Sequence, residues 1–250
     1  MREIFKKEDD NIVAIIQARM CSTRLPGKVM KDISGKPMLW HVIYRVKYSK
    51  LINKIVVATS TNKEDDIIEN FCKENRILFY RGDEEDVLKR YYEAAKIYNG
   101  NKIVRITSDC PLIDPEIVDI VIKEHLKDGV DYTSNTIERT FPRGLDTEVF
   151  NFETLKRANE MAKEKYQREH VTIFIYENPH LFKIKNVRNF KDLSHLRWTV
   201  DEERDLIFVR EIYKRLYKGN IFFMRDILEV LEKEPDLKRI NEMVKQKPVK

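Results

Sequence analysis

Five consecutive apolar residues, Ile12-Val13-Ala14-Ile15-Ile16, run directly into a polar stretch, Gln17-Ala18-Arg19-Met20-Cys21-Ser22-Thr23-Arg24-Leu25-Pro26-Gly27-Lys28. Nothing else in the chain restricts its fold as tightly. An apolar run without a polar gap suits a strand covered on both faces, the condition of strands in a parallel sheet sandwiched by helices. The polar stretch then leaves the carboxyl end of that strand, where ligands of open α/β sheets bind. Pro26-Gly27 sets a turn just ahead of Lys28. Three cations, Arg19, Arg24 and Lys28, with the hydroxyls of Ser22 and Thr23, suit a polyanion, and a nucleoside triphosphate is the leading candidate. A solvated structural loop is the alternative. The stretch is not a Walker loop, because Ser22 stands at the first glycine position and Val29 follows Lys28 where Ser or Thr is needed. In such a loop, loss of Lys28 is expected to leave the core intact while removing a charge-assisted contact of about 1.5 to 3 kcal/mol.

The same alternation continues along the chain. Residues 38–49 carry Leu39, Val42, Ile43 and Val46 on one helical face behind Gly35-Lys36-Pro37. A buried strand is expected over 54–60, then a helix entered through 62–66 and ending near Glu74, with Ile67, Ile68 and Phe71 inward. A strand over 77–80 precedes a helix on which Val87, Leu88, Tyr91, Tyr92 and Ala95 recur, capped by Asp83. Residues 102–107 form a fourth strand, and Asp114-Pro115-Glu116 opens a helix through His125. Four strands alternating with four helices predict an α/β fold with a Rossmann-like, doubly wound, mainly parallel sheet and right-handed crossovers. Beyond residue 130 the alternation loosens. Strands are expected over 130–135, 147–150, 181–187 and 196–200, and helices over 152–165, 168–177, 203–217 and 224–232. Residues 12–250 read as one domain, with 130–200 as its acceptor or lid side, behind a charged N-terminal extension over 1–11.

Composition narrows the classes. The 250 residues are 42% hydrophobic, enough for a sizeable core. Forty-seven basic and 42 acidic residues give a net charge of +5 without a clustered basic block, so a nucleic-acid partner is not implied. The three cysteines, Cys21, Cys72 and Cys110, have neither metal-ligand spacing nor an even count, which argues against a zinc site or disulfide framework. A reducing cytoplasm fits. The first residues hold no apolar run of a signal peptide, and no stretch reaches the length of a membrane span.

Two further strand ends carry acids. Asp109 follows an apolar strand and precedes Pro111, which cannot continue a ladder, so its carboxylate faces the same crevice as the first loop. Triphosphate chemistry uses Mg²⁺, a hard cation held by one or two carboxylates plus phosphate oxygens. Asp109 is the first candidate ligand, with a turn cap as its alternative. Arg197-Trp198-Thr199-Val200-Asp201 repeats the pattern, although spacing alone makes Asp201 a helix N-cap. The irregular stretch from Arg139 to Glu148 holds the cations and carboxylates that a sugar acceptor needs, including Arg143 and Asp146. In Tyr166-Gln167-Arg168-Glu169-His170, Arg168 or His170 could touch acceptor or pyrophosphate, or lie on a solvated helix face.

The loop from Arg19 to Lys28, read as Arg-x-x-Ser-x-Arg-Leu-Pro-Gly-Lys, closely resembles the nucleotide-binding signature of the cytidylyltransferases that activate acidic sugars, the KDO and sialic acid CMP-transfer enzymes. From about residue 11 to 217 the chain is similar to the SpsF-type spore-coat or surface polysaccharide enzymes of that group, which usually carry glycine at the position of Cys21. The resemblance implies a nucleotide-diphospho-sugar transferase fold, CTP as donor, Mg²⁺ as cofactor and an acidic sugar or sugar phosphate as acceptor. Applied to this sequence, it assigns catalysis to Lys28, Arg19, Arg24 and Asp109. It places nucleotide contacts at Gln17, Ala18, Arg19, Ser22, Arg24, Lys28 and Ser108, and base-side contacts at Thr59, Ser60, Asp86 and Arg90. Metal ligands become Asp109 and Asp201, and acceptor contacts Arg143, Gly144, Asp146, Arg168 and His170. The implied role lies in surface polysaccharide synthesis, with neither nucleic acid nor membrane as partner and a homodimer left open. A nucleotide-sugar-dependent glycosyltransferase of the same fold and a non-catalytic nucleotide-binding protein are the competing readings.

Overall fold

The apolar run becomes strand β1 (Ile12–Gln17), whose first five residues are buried. In the computed structural model, which describes residues 10–127 and 129–247, alternate β1 side chains enter two separate cores. Ile12, Ala14 and Ile16 face one, and Val13 and Ile15 face the other. This is why no polar residue interrupts the run: both faces of the strand are covered.

A small antiparallel pair, β2 (Asp32–Ile33) and β3 (Lys36–Pro37), leads into helix α1 (Met38–Val46). Strand β4 (Lys54–Ser60), helix α2 (Asp66–Glu74), strand β5 (Leu78–Gly82), helix α3 (Val87–Ile97), strand β6 (Lys102–Thr107) and helix α4 (Pro115–Lys127) continue the alternation. Then come β7 (Tyr132–Ser134), β8 (Glu148–Asn151), α5 (Phe152–Met161), α6 (Lys165–Glu169), α7 (Ile173–Glu177), β9 (Ile184–Asn186), α8 (Glu203–Leu216) and α9 (Met224–Lys233). The seven-stranded sheet has the order β5-β4-β1-β6-β8-β7-β9. It is mainly parallel, as expected, with β8 antiparallel to both neighbours. Gln17 pairs with Ala58 on one side and Thr107 on the other, so the chain leaves β1, β4 and β6 at a common edge. Helices α1, α2, α4, α8 and α9 cover one face of the sheet, and α3, α5 and α7 the other. Among the described residues no helix is long and apolar enough to cross a membrane.

Departures from expectation concentrate beyond residue 130. The expected helices over 152–165 and 168–177 are instead α5, α6 and α7. The break falls at Val171, fully buried at φ 62, where Thr172 N–H donates back to the His170 carbonyl at 2.6 Å. A β-branched residue is strained there, and burial of its side chain in the core offsets the strain. The 196–200 segment is not a strand. It bonds to loops, with Trp198 N–H to the Arg143 carbonyl (2.6 Å) and Val200 N–H to that of Asp109 (2.8 Å). Ile67 is 45% exposed rather than inward. Asp86, not Asp83, caps α3, accepting from Lys89 N–H at 3.0 Å. A 3₁₀ turn, Pro235–Ile240, follows α9, and residues 1–9 of the N-terminal extension lie outside the described residues.

Candidate active site

The common edge of β1 and β6 opens into a cleft of about 680 Å³. It is lined by the loop after β1, Ser108 to Cys110 after β6, Arg139, Arg143 and Asp146, Thr199 and Asp201, and His170 to Tyr176. A second cavity of about 770 Å³ lies at the opposite edge, beside Asn101 and Asn151. It contains none of the expected residues, and its His125 is committed to Thr133 and Asn151.

The loop folds back on itself. Gly27 sits at φ 67, which favours glycine, and donates to the Met20 carbonyl at 3.0 Å, while Leu25 and Val29 are buried beneath it. Asp65 pins the loop from below, accepting from Met20 N–H at 2.7 Å and from both the backbone and hydroxyl of Ser60. These contacts bring Lys28 to the centre of the cleft. Its ammonium donates to Asp109 Oδ2 (2.9 Å), Asp201 Oδ1 (3.0 Å) and the Val200 carbonyl (2.8 Å). Burial alone would raise the Asp109 carboxyl, but the Lys28 ammonium and bonds from neighbouring side chains hold it at about 2. Lys28 is in turn raised: burial lowers it, and the charges of Asp109 and Asp201 more than offset that.

Asp201 does not cap α8. The cap is Glu202, and Asp205 accepts from the backbone N–H groups of Asp201 (2.9 Å) and Glu202 (3.1 Å). Its carboxylate is thereby left to cations: Lys28 and Arg24 on Oδ1, the latter at 3.0 Å, and Arg197 on Oδ2 at 2.8 Å. Two carboxylates thus converge on one point beside the loop. Among the described residues no group of three or more His, Cys, Asp or Glu side chains has metal-holding geometry. A cation at Asp109 and Asp201 would therefore complete its shell from ligand oxygens, which fits the hard oxygen donors of Mg²⁺ and its habit of sharing a site with phosphates.

Of the expected contacts, Gln17, Ala18, Arg19, Ser22, Arg24, Lys28, Arg90, Ser108, Asp109, Arg143, Asp146, His170 and Asp201 all line the cleft. Arg90 is 3% exposed, and its Nε and Nη1 have no hydrogen-bond partner. Arg143 has no partner for its guanidinium among the described residues, and burial pushes its pKa down. Burial likewise lowers His170, favouring the neutral ring.

Five of the expected residues, Thr59, Ser60, Asp86, Gly144 and Arg168, are not among those that line the cleft. Thr59 and Ser60 are fully buried, and the Ser60 hydroxyl donates to Asp65. Asp86 and Arg168 lie outside the cleft and satisfy each other at 2.8 Å, while Arg168 also holds Asn159 and Ala162. Gly144 packs against backbone: at φ 111, an added Cβ would lie 2.6 Å from Thr199 N.

The structure adds a buried network that the sequence analysis did not identify. Arg105 pairs with Glu148, which also accepts from the hydroxyls of Tyr132 and Thr172, and Arg105 Nε is left unpartnered. An arginine inside an otherwise apolar strand was the available signal. Arg139 holds Asp146 with two bonds, at 2.6 and 2.8 Å, so Asp146 is already engaged.

Residues 13–247 match the family described as cytidylyltransferase. The chain is 41% identical over 238 residues to an uncharacterised protein of Methanocaldococcus jannaschii, covering 94% of this chain and 96% of that one. It is 32% identical over 235 residues to the spore coat polysaccharide biosynthesis protein SpsF of Bacillus subtilis, with 91% and 96% covered. The solved structure of a cytidylyltransferase from Leptospira borgpetersenii superposes with a TM-score of 0.89 at 34% identity, covering 95% of this chain and all of that one.

Proposed function

The chain belongs to the cytidylyltransferase family, and from that premise we propose that it transfers CMP from CTP to an acidic sugar or sugar phosphate, releasing pyrophosphate, in surface polysaccharide synthesis. The observation that carries this reading is the convergence of Asp109, Asp201 and Lys28 beside the loop of Arg19, Ser22 and Arg24. An acceptor oxygen attacks the α-phosphorus. Its bond to the bridging oxygen breaks, pyrophosphate departs, and the acceptor's proton passes to solvent. Such a reaction asks the protein for positioning and charge neutralisation more than for covalent chemistry.

Lys28, Arg24 and Arg19 exchange carboxylate partners for phosphate oxygens when the triphosphate enters, with Gln17, Ala18, Ser22 and Ser108 completing its cradle. Asp109 and Asp201 would hold Mg²⁺, which would supply charge neutralisation to the triphosphate. Arg90 meets the base side of the nucleotide. Arg143 supplies the half-buried, unpaired cation that a carboxylate or phosphate on the acceptor requires, with the neutral ring of His170 available to a hydroxyl. CTP as donor places the reaction in the cytoplasm.

The test is product analysis. The four nucleoside triphosphates are each incubated with Mg²⁺ and a panel of sugar acids and sugar phosphates, followed by pyrophosphate release and mass spectrometry of the product. A CMP-sugar formed from CTP is expected. Release of a nucleoside diphosphate from a nucleotide sugar, with no pyrophosphate from any triphosphate, would turn the assignment towards glycosyl transfer.

A further inference from the structure

At its C-terminal end the described chain returns to the cleft. Beyond the 3₁₀ turn, Asn241 is 3% exposed, and its side-chain amide donates to the Arg197 carbonyl (2.9 Å) and to Asp205 Oδ1 (3.0 Å). Val244 N–H closes a turn on the Asn241 carbonyl at 3.0 Å, and Gln246 and Lys247 then line the cleft. Gln246 Oε1 accepts from Arg197 Nη1 at 2.8 Å. One arginine is thus gripped by this segment at both its carbonyl and its guanidinium.

The same guanidinium reaches the candidate metal ligand. Nη2 donates to Asp201 Oδ2 at 2.8 Å, and Nε to Asp205 Oδ1 at 2.9 Å. The two oxygens of Asp201 are therefore treated differently. Oδ1 holds Lys28 and Arg24, the cations that phosphates would draw away, whereas Oδ2 stays on an arginine whose Nε, Nη1 and Nη2 each have a fixed acceptor. Loss of those two cations to phosphates would expose Oδ1 to the cleft while Arg197 still holds Oδ2. Nη2 also reaches Asp205 Oδ2 at 3.1 Å, so Asp205 fixes the plane of the fork, and Gln246 at Nη1 restrains its outer corner from tilting about that edge.

We propose that residues 241–247 form a working wall of the active cleft, in which Gln246 positions Arg197 and through it presents Asp201 Oδ1 to the metal–nucleotide complex. The inference rests on the reading of Asp201 as a metal ligand. Gln246 is a positioning residue, acting through its bond to the Arg197 guanidinium.

The test is calorimetric binding of CTP across a Mg²⁺ titration, on the full chain and on its Gln246→Ala, Gln246→Glu and Asp201→Asn variants. Gln246→Ala is expected to raise the Mg²⁺ concentration for half-maximal binding about threefold to tenfold, the scale of a contact open to water, with Tm and metal-free CTP affinity unchanged. Gln246→Glu keeps an acceptor for Arg197 and should not raise that Mg²⁺ concentration, while its added charge weakens metal-free CTP binding. If Asp201→Asn removes the Mg²⁺ dependence and Gln246→Ala leaves it unmoved, the segment is a surface strap and the inference is overturned. If Asp201→Asn itself changes nothing, the metal assignment has failed, and the inference falls with it.

Discussion

Replacing Lys28 by Met keeps the length of the side chain and removes its charge, which makes it the sharpest probe of the cleft. The ammonium lies 2.9 Å from Asp109 Oδ2 and 3.0 Å from Asp201 Oδ1, with side-chain exposures of 13%, 25% and 12% for the lysine and the two aspartates. At an effective dielectric of about 20, each attraction is roughly 6 kcal/mol, and the two carboxylates repel one another. Desolvation offsets most of this. Removing one partner of a fully buried pair destabilises by about 3 to 5 kcal/mol. The residual exposure here sets the expected loss at about 2 to 3 kcal/mol, or roughly 5 to 10 °C of Tm for a chain of this size. The expectation of an intact core, made for a lysine after a turn in a polar loop, did not include the two carboxylates it bridges. Thermal unfolding of native protein, Lys28→Met, Asp109→Asn and the double variant, with and without Mg²⁺, checks the figure. The double variant should lose less than the sum, because one of two repelling carboxylates is gone. A divalent cation can occupy the place of the ammonium, so Mg²⁺ should restore Lys28→Met more than it stabilises the native chain. A loss below about 0.5 kcal/mol with no preferential rescue would show that Lys28 bridges nothing of consequence.

Asp109→Asn and Asp201→Asn should each abolish CMP transfer and most of the Mg²⁺ dependence of CTP binding; native turnover in Asp201→Asn would return that residue to a purely structural place beside Arg197. Arg143→Gln should raise KM for the acceptor about tenfold to hundredfold with KM for CTP unchanged, in line with loss of a charge-assisted bond; an equal rise in both would move Arg143 to the nucleotide. Cys21 is exposed in the cleft whereas Cys72 and Cys110 are buried, with burial raising Cys72 to about 12 and Cys110 well above its ordinary value. Iodoacetamide should therefore inactivate through Cys21, more slowly when CTP and Mg²⁺ are present, and peptide mapping that finds only Cys72 would place the loop away from the nucleotide. Burial lowers His41 and His125 to about 4. With unfolded values near about 6.5, the unfolded chain binds more protons between those limits, so stability is full above about pH 6.5 and falls towards pH 4, by up to about 3 kcal/mol per histidine. His125→Gln should flatten the fall in Tm over that range; an unchanged slope would assign it to other groups.

How much of this could be read beforehand follows the sequence range of the interactions concerned. Strands β4 and β6 begin and end where local patterning puts them, and the loop after β1 declares its chemistry within a dozen residues. What local pattern cannot show is whether a charge is already neutralised. Asp86 and Arg168 both looked available for ligands, yet they pair across 82 residues of sequence. Arg139 and Arg143 stand in one segment with similar surroundings, and only the first finds a carboxylate. Arg105 with Glu148, and Arg197 with Gln246, are likewise contacts between remote positions. Val171 was read as helical because its buried side chain fits either conformation; the tight turn that separates α6 from α7 is a property of the backbone, and valine carries no signal for it.

Asp201 and Asp205 bring the same distinction to the chemistry itself. Both are acids at the start of α8, and spacing alone would give Asp201 the cap. Asp205, with no exposed side-chain surface, takes the two backbone donors and one edge of Arg197, work that requires burial and uses up both its oxygens. Asp201 is left with cations only, and two of its three come from the loop after β1. Those two can be drawn off by phosphate, while the third is held by the rest of the protein. A carboxylate with removable partners on one oxygen and a fixed partner on the other is preset to exchange ammonium and guanidinium for a metal without reorienting, which separates a binding group from a structural one more surely than its position in the sequence.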